Sequence, residues 1–183
     1  QQERLVGSTN LPMSAAGVRS MRAAAEKMGS DPLGLILCGP DEGSELAAEV
    51  IGSTTGGRVR SLEGLRNPCL GLWEGLSVQD ASEKFAKSYK RWRSDPASVL
   101  PPEGEAFEHA EARILGTIAK AVVKHKAQTP IGIVLRPAAS AIFRCWLESL
   151  GSERVGWMIE RSQPTEWRSV PRIRFEAVLS TMK

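Results

Sequence analysis

The chain has 183 residues, 42% of them hydrophobic and 5% aromatic, enough apolar material for one compact core. Its 24 Lys and Arg against 21 Asp and Glu leave a net charge of +3 with both signs scattered, which excludes a concentrated nucleic-acid-binding tract, and no apolar run nears the roughly 18 residues of a membrane span. Gln1-Gln2-Glu3-Arg4 is unlike a signal peptide, and Cys38, Cys69 and Cys145 are too few and too dispersed for a disulfide framework or a closed zinc site, so a cytoplasmic protein without a metal or other cofactor is expected.

Ser14 can cap a helix from Ala15 to about Met28, which Gly29-Ser30-Asp31-Pro32 stops. Gly34 to Cys38 is a short apolar run closed by Gly39-Pro40, the pattern of a strand buried on both faces. Asp41 to Ile51 carries Leu46, Val50 and Ile51 at helical spacing, and Gly56-Gly57 leads into a strand at Arg58 to Leu62. Arg66 to Gly75 holds too many breakers for a regular element and predicts a structured loop, the kind of segment that often carries function.

Ser77 is positioned to cap a helix from Val78 to about Arg93, with Phe85, Tyr89 and Trp92 on its buried face. After Ser94-Asp95-Pro96 and the Pro101-Pro102-Glu103-Gly104 loop, a long helix is expected from Glu105 to His125, turning Phe107, Ile114, Leu115, Ile118 and Val122 inward. Ile131 to Leu135 repeats the buried-strand signature, Pro137 breaks it, and Ala138 to Leu150 is an amphipathic helix ended by Gly151. Arg154 to Glu160, Trp167 to Val170 and Arg172 to Leu179 read as strands, with a turn at Gln163-Pro164-Thr165. Helices alternating with short buried strands argue for an α/β three-layer sandwich, a mainly parallel sheet flanked by helices. Ligands in such sheets bind at the carboxyl ends of strands, here the loops starting at Cys38 and Leu135.

Several side chains have both a plain and a sharper reading. Arg136, at a strand end before a helix N-terminus, can hold an anion or can be an internally paired cation. Glu74 beside Trp73 can be a carboxyl of raised pKa, but reads first as a structural hydrogen-bond acceptor beside a tryptophan packed on the sheet; Glu105 reads as a charge complementing a helix dipole. His109 and His125 lack Cys or carboxylate partners at metal spacing and read as solvent-facing. Cys38 and Cys145 look like core thiols, and Cys69 lies in the loop. Lys84, Lys87, Lys90, Arg91 and Arg93 make a basic run, either a solvated face or a surface for an acidic partner, with Glu83 and Asp95 diluting the charge.

Four blocks in order, GSTNLPMSAAG at 7 to 17, LGLWEGL at 70 to 76, RSDPASVLPPEGEAF at 93 to 107 and IGIVLRPAASAIFRCWLESLG at 131 to 151, resemble the histidine phosphatase superfamily with its phosphoglycerate mutase-like fold. The resemblance implies phosphoryl transfer to a histidine, which needs a nucleophilic imidazole, cations around the phosphoryl oxygens and an acid for the leaving group. The family's nucleophile lies in an Arg-His-Gly motif ending its first strand, a few residues before the block that opens at Gly7, and this chain contains no Arg-His-Gly. The expectation is therefore a single domain over residues 1–183 whose first, central strand and nucleophile lie upstream of residue 1, or whose stretch Arg172 to Leu179 has moved into that strand's place.

The other expected positions are replaced. The family's second phosphate-binding arginine falls on Gly43, its acidic glutamate on Asn67 and its second histidine on Arg136, which keeps a charge but is followed by Pro137 with no backbone donor. An amide has no titratable acid form near neutral pH. The resemblance thus points to a degenerate pocket at Gly43, Asn67 and Arg136 in a pseudophosphatase acting as a binding or regulatory module. The alternative is an active phosphomonoesterase or mutase with a rebuilt pocket or an upstream nucleophile. The sequence names no partner beyond a phosphate-bearing small molecule or protein, and neither nucleic acid nor membrane is expected.

Overall fold

Leu35 to Cys38 are consecutive apolar residues too few for a helix, and they form strand β1 (Leu35–Cys38), buried along its whole length. The computed structural model describes residues 4–27, 32–126, 129–160 and 170–181, which fall into two compact units. The first contains β1, flanked in parallel by β2 (Arg58–Ser61) on one side and β3 (Ile131–Val134) on the other, in the order β2-β1-β3. Leu35 stands opposite Arg58 and Ile131, and Cys38 opposite Ser61 and Val134. The central place of β1 explains its unbroken apolar sequence, whereas β2, reading Arg-Val-Arg-Ser, leaves its three polar side chains exposed.

Helix α1 (Ala15–Lys27) begins where the Ser14 hydroxyl accepts the Gly17 N–H at 3.1 Å. Helix α2 (Glu42–Thr55) is capped by Asp41 and ends at Gly56, whose φ of 75° suits a residue without Cβ. Ala25 of α1, Leu33, Ile36 and Cys38 of the β1 region and Ala48 and Ile51 of α2 pack as one core. At about 25 cal/mol per Å² of buried apolar surface, these side chains are what hold the helices to the sheet.

The three described strands are contiguous, with β1 paired on both sides, so no interior position is open for another strand between them. The stretch expected as a strand at Arg172 to Leu179 is instead helix α8 (Arg172–Thr181). Arg172 donates from Nη1 to the His125 carbonyl at 3.1 Å and from Nη2 to the Val123 carbonyl. Those groups lie at the C-terminal end of the long helix α5 (Phe107–Lys124), where carbonyls lack intrahelical donors and favour a cation.

The second unit comprises residues 4–9, 67–113 and 137–160. The expected helix after Ser77 is split at Phe85 (φ −126°, ψ 35°) into α3 (Val78–Lys84) and α4 (Ala86–Ser94). Ser77 caps α3 in a full capping box with Asp80. The break lets Phe85, Tyr89 and Trp92 surround the fully buried Trp73, each ring centroid 5.8 Å from it. The tryptophan's ring partners are thus helical aromatics, where a packing on the sheet was expected.

Helix α6 (Pro137–Leu147) starts at Pro137 itself, since a first-turn proline gives up only an N–H that has no intrahelical acceptor. The strand expected at Arg154 to Glu160 is a 3-10 turn at Ser152–Arg154 running into helix α7 (Val155–Glu160). Val155 and Met158, three apart, are both buried, a helical stripe that a nearly continuous apolar run conceals. The strand and turn expected over 163–170 fall almost wholly outside the described residues.

Candidate functional site

At the carboxyl end of β1 the chain turns through Gly39 and Pro40 into Asp41, whose carboxylate accepts the Ser44 N–H at 3.0 Å and so caps α2. The adjacent Glu42 N–H donates to Asn10 Oδ1 at 2.9 Å. Two N–H groups of that helix start are therefore bound by side chains of the chain itself. Gly43, the position matched to a phosphate-binding arginine, sits beneath the backbone of the 11–13 segment, where a Cβ would lie 3.0 Å from the Leu11 carbonyl oxygen. A longer side chain there would have to displace that segment.

Arg136 follows β3 and is largely buried, with Nη1 3.9 Å from Asp41 Oδ1. A guanidinium beside a buried carboxylate already has counter-charge, so the structure favours the paired reading of Arg136. Sequence reasoning found Asp41 only as a helix start. Its second role, facing Arg136 across 95 positions of chain, has no local signal.

Asn67, in the other unit, is buried and committed on every side. Its Nδ2 donates to the carbonyls of Gly7 at 3.0 Å and Val6 at 3.3 Å, while its Oδ1 accepts the Ala139 N–H in the first turn of α6 at 3.0 Å. An ionised carboxylate could accept from Ala139 but would face two carbonyl oxygens with nothing to donate. The amide therefore suits this place by its dual donor and acceptor character.

Glu74 is bonded as densely. Its Oε1 accepts from Ser8 N at 2.8 Å, Ser8 Oγ at 3.0 Å and Leu70 N at 3.0 Å, and its Oε2 accepts from Thr9 N at 2.9 Å and from Thr9 Oγ1. Burial by itself would raise the pKa of this carboxyl, but the hydrogen bonds from Thr9, Leu70 and Ser8 outweigh it and hold the value at about 2. Gly7 has no room for a side chain, since a Cβ would run into Glu74 Oε1 and lie 2.8 Å from the Leu70 backbone nitrogen. Glu74 is an anchor for the 7–9 segment, and Ser8 and Thr9 are the partners that sequence reasoning missed.

The remaining candidates are structural too. Glu105 precedes α5 and holds Arg113 in a bidentate pair, 2.8 Å to Nε and 2.6 Å to Nη2, in place of the expected helix-dipole role. Together with Cys69, Trp92, Phe107 and Ile142 it lines a small, mainly apolar cavity. Cys38 and Cys145 are buried thiols pushed up to about 11 by desolvation. His109 is exposed, and His125 is half-buried with Nε2 3.2 Å from Thr129 Oγ1.

A parallel sheet with flanking helices, a Trp-Glu-Gly turn that grips the Gly7 segment, and cation-bearing loops at the strand ends are now in view. The family described as histidine phosphatase superfamily (branch 1) matches residues 1–170. The chain belongs to this superfamily. Among curated relatives, phosphoserine phosphatase 1 of Hydrogenobacter thermophilus is 23% identical over 128 residues, covering 70% of this chain. A bifunctional protein of Mycobacterium tuberculosis is 34% identical over 79 residues, covering 39% of this chain. The aligned stretches span 61% and 21% of the lengths of those two relatives. Among solved structures, a mycobacterial glucosyl-3-phosphoglycerate phosphatase is 25% identical with a TM-score of 0.75, covering 84% of this chain and 76% of its own. Bacillus stearothermophilus YhfR is 19% identical with a TM-score of 0.76, covering 90% and 78%. The α/β fold is thus that of phosphoglycerate mutase-like proteins. Among the described residues no helix is long and apolar enough to cross a membrane.

Proposed function

We propose that this member of the histidine phosphatase superfamily does not transfer phosphoryl groups and acts as a binding or regulatory module. The observation that carries the reading is Asn67, which stands where the resemblance places the proton-donating glutamate and spends its amide on Val6, Gly7 and Ala139. A leaving alkoxide needs a proton from a titratable acid near its oxygen, and this side chain has none to give. Arg136 beside Asp41 and the missing cation at Gly43 support the same reading, because a bound phosphoryl group would compete with a carboxylate for its charge partner. The residues 1–183 then serve as one histidine-phosphatase-like domain in a cytoplasmic setting.

A second reading is favoured by the relatives, several of which are named phosphatases, among them the phosphoserine and glucosyl-3-phosphoglycerate enzymes. On that view the chain hydrolyses a phosphomonoester with a rebuilt pocket or a nucleophile supplied from upstream. Purified full-length protein incubated with p-nitrophenyl phosphate separates the two. The pseudophosphatase reading expects no phosphate release above the buffer blank and no acid-labile phosphohistidine. Turnover that is abolished by Arg136→Ala would overturn it.

A further inference from the structure

Helix α4 is the most one-sidedly charged element described. Its nine residues include Lys87, Lys90, Arg91 and Arg93, all exposed, and no acidic residue. Lys87 and Arg91 are four apart, and Lys87 with Lys90 and Lys90 with Arg93 are three apart, the spacings at which like charges face one another and weaken a helix. The neighbouring carboxylates do not relieve this at Lys87 and Lys90. Glu83 accepts from Gln79 Nε2 at 2.9 Å, Asp80 is held by Ser77, and Asp95 Oδ1 is buried without a hydrogen-bond partner. Among the described residues no ion pair joins Lys87 or Lys90 to a carboxylate.

Two exposed leucines lie on or next to the loop to which the helix end is bonded. Arg91 Nε donates to Ser98 Oγ at 3.0 Å, two residues before Leu100, and the Leu72 N–H donates to the Pro102 carbonyl at 2.9 Å, two residues after it. Leu100 is 62% exposed and Leu72 53%. The aromatics of α4, in contrast, are turned inward: Tyr89 is buried and Trp92 lies against Trp73.

We propose that the exposed face of α4, with Leu72 and Leu100 beside it, docks an acidic segment of a partner protein that carries apolar residues among its carboxylates. Charge complementarity selects the acidic residues, and the two leucines give the apolar ones something to cover. Nucleic acid is disfavoured because, among the described residues, no exposed ring stands on which bases could stack. A lipid surface is disfavoured because the apolar side of α4 is spent on the protein core. The inference is independent of the loss of phosphoryl transfer, since docking is read from peptide binding and hydrolysis from released phosphate.

The test titrates the full chain against a fluorescein-labelled peptide of roughly twelve residues, Glu and Asp with two spaced leucines, and reads anisotropy. Saturable binding that weakens with added salt is expected, about tenfold weaker in Lys87→Glu/Lys90→Glu and about threefold weaker in Leu100→Ser. Arg58→Glu, the same kind of charge change on β2, should leave it unaltered, and circular-dichroism melting checks that each variant is folded. Should the double reversal fail to fold, Lys87→Gln/Lys90→Gln carries the same expectation at about threefold. Binding that is unchanged in the folded α4 variants, or a single-stranded oligonucleotide or phosphatidylserine vesicle bound more tightly than the peptide, overturns the proposal.

Discussion

The Trp-Glu-Gly loop and the strand-end loops of the sheet have kept their superfamily character to different degrees. In the loop the motif residues are intact: Trp73 is enclosed by three aromatic rings, although its buried Nε1 has no hydrogen-bond partner, and Glu74 accepts from both backbone and hydroxyl groups of Ser8 and Thr9. At the strand ends the positions that the resemblance matches to reacting groups carry Gly43 and Arg136, beside which lie the Leu11 backbone and the Asp41 carboxylate. The contrast separates residues that hold a fold from residues that perform its chemistry. The first cannot change without stranding buried donors, whereas the second can be replaced once a new partner satisfies what is left.

The comparison can be broken most directly at Glu74. Glu74→Gln turns an NH₂ group toward donors on one side or the other and should cost about 3 kcal/mol in urea denaturation. The carboxyl's folded value of about 2 lies below its ordinary 4.5, so its contribution is complete above pH 4.5 and is lost as the pH falls through about 2. Wild-type protein should therefore lose stability over that window, and the variant should lose less of it; parallel pH profiles would contradict the anchoring role.

Asn67 lies between the two regions in kind, a position that the resemblance matches to the family's glutamate and whose amide is saturated. Asn67→Asp should cost about 2 kcal/mol at neutral pH, because an ionised carboxylate faces the Val6 and Gly7 carbonyls. The deficit relative to wild type should shrink as acid protonates the new carboxyl and restores one donor. A pH-independent deficit would mean that packing, not hydrogen bonding, sets the preference for an amide here.

The smallest effect is expected at the strand ends. A cycle of Arg136→Gln, Asp41→Asn and the double variant should give a coupling below about 1 kcal/mol, since the charges are 3.9 Å apart and Asp41 keeps its bond to Ser44. A coupling of several kcal/mol would make the strand ends as structurally committed as the loop.

Most of the regular structure was legible where the signal is local. The Ser77 cap, the apolar β1 and β3 and the breaker-rich 66–75 segment all express preferences that act within a few residues. Misreadings came where length was short and the apolar pattern nearly continuous. Residues 155–160 and 172–181 have strand-like composition, but Val155 and Met158 turn inward together, and Arg172 is drawn to the open carbonyls of α5. Helices of that length are marginal in isolation and form because a docking site exists.

By itself, then, the amino-acid sequence determined the α/β class, the order of the elements as far as α6 and the superfamily blocks that place Gly43, Asn67 and Arg136. Tertiary structure alone decided what surrounds those residues. Glu74 meets Ser8 across 66 positions and Asn67 meets Ala139 across 72, and no pattern of neighbouring residues encodes such pairs. The physical reason is that a buried polar group takes whichever complementary group the folded chain brings within about 3 Å, and that choice exists only once the apolar core has closed.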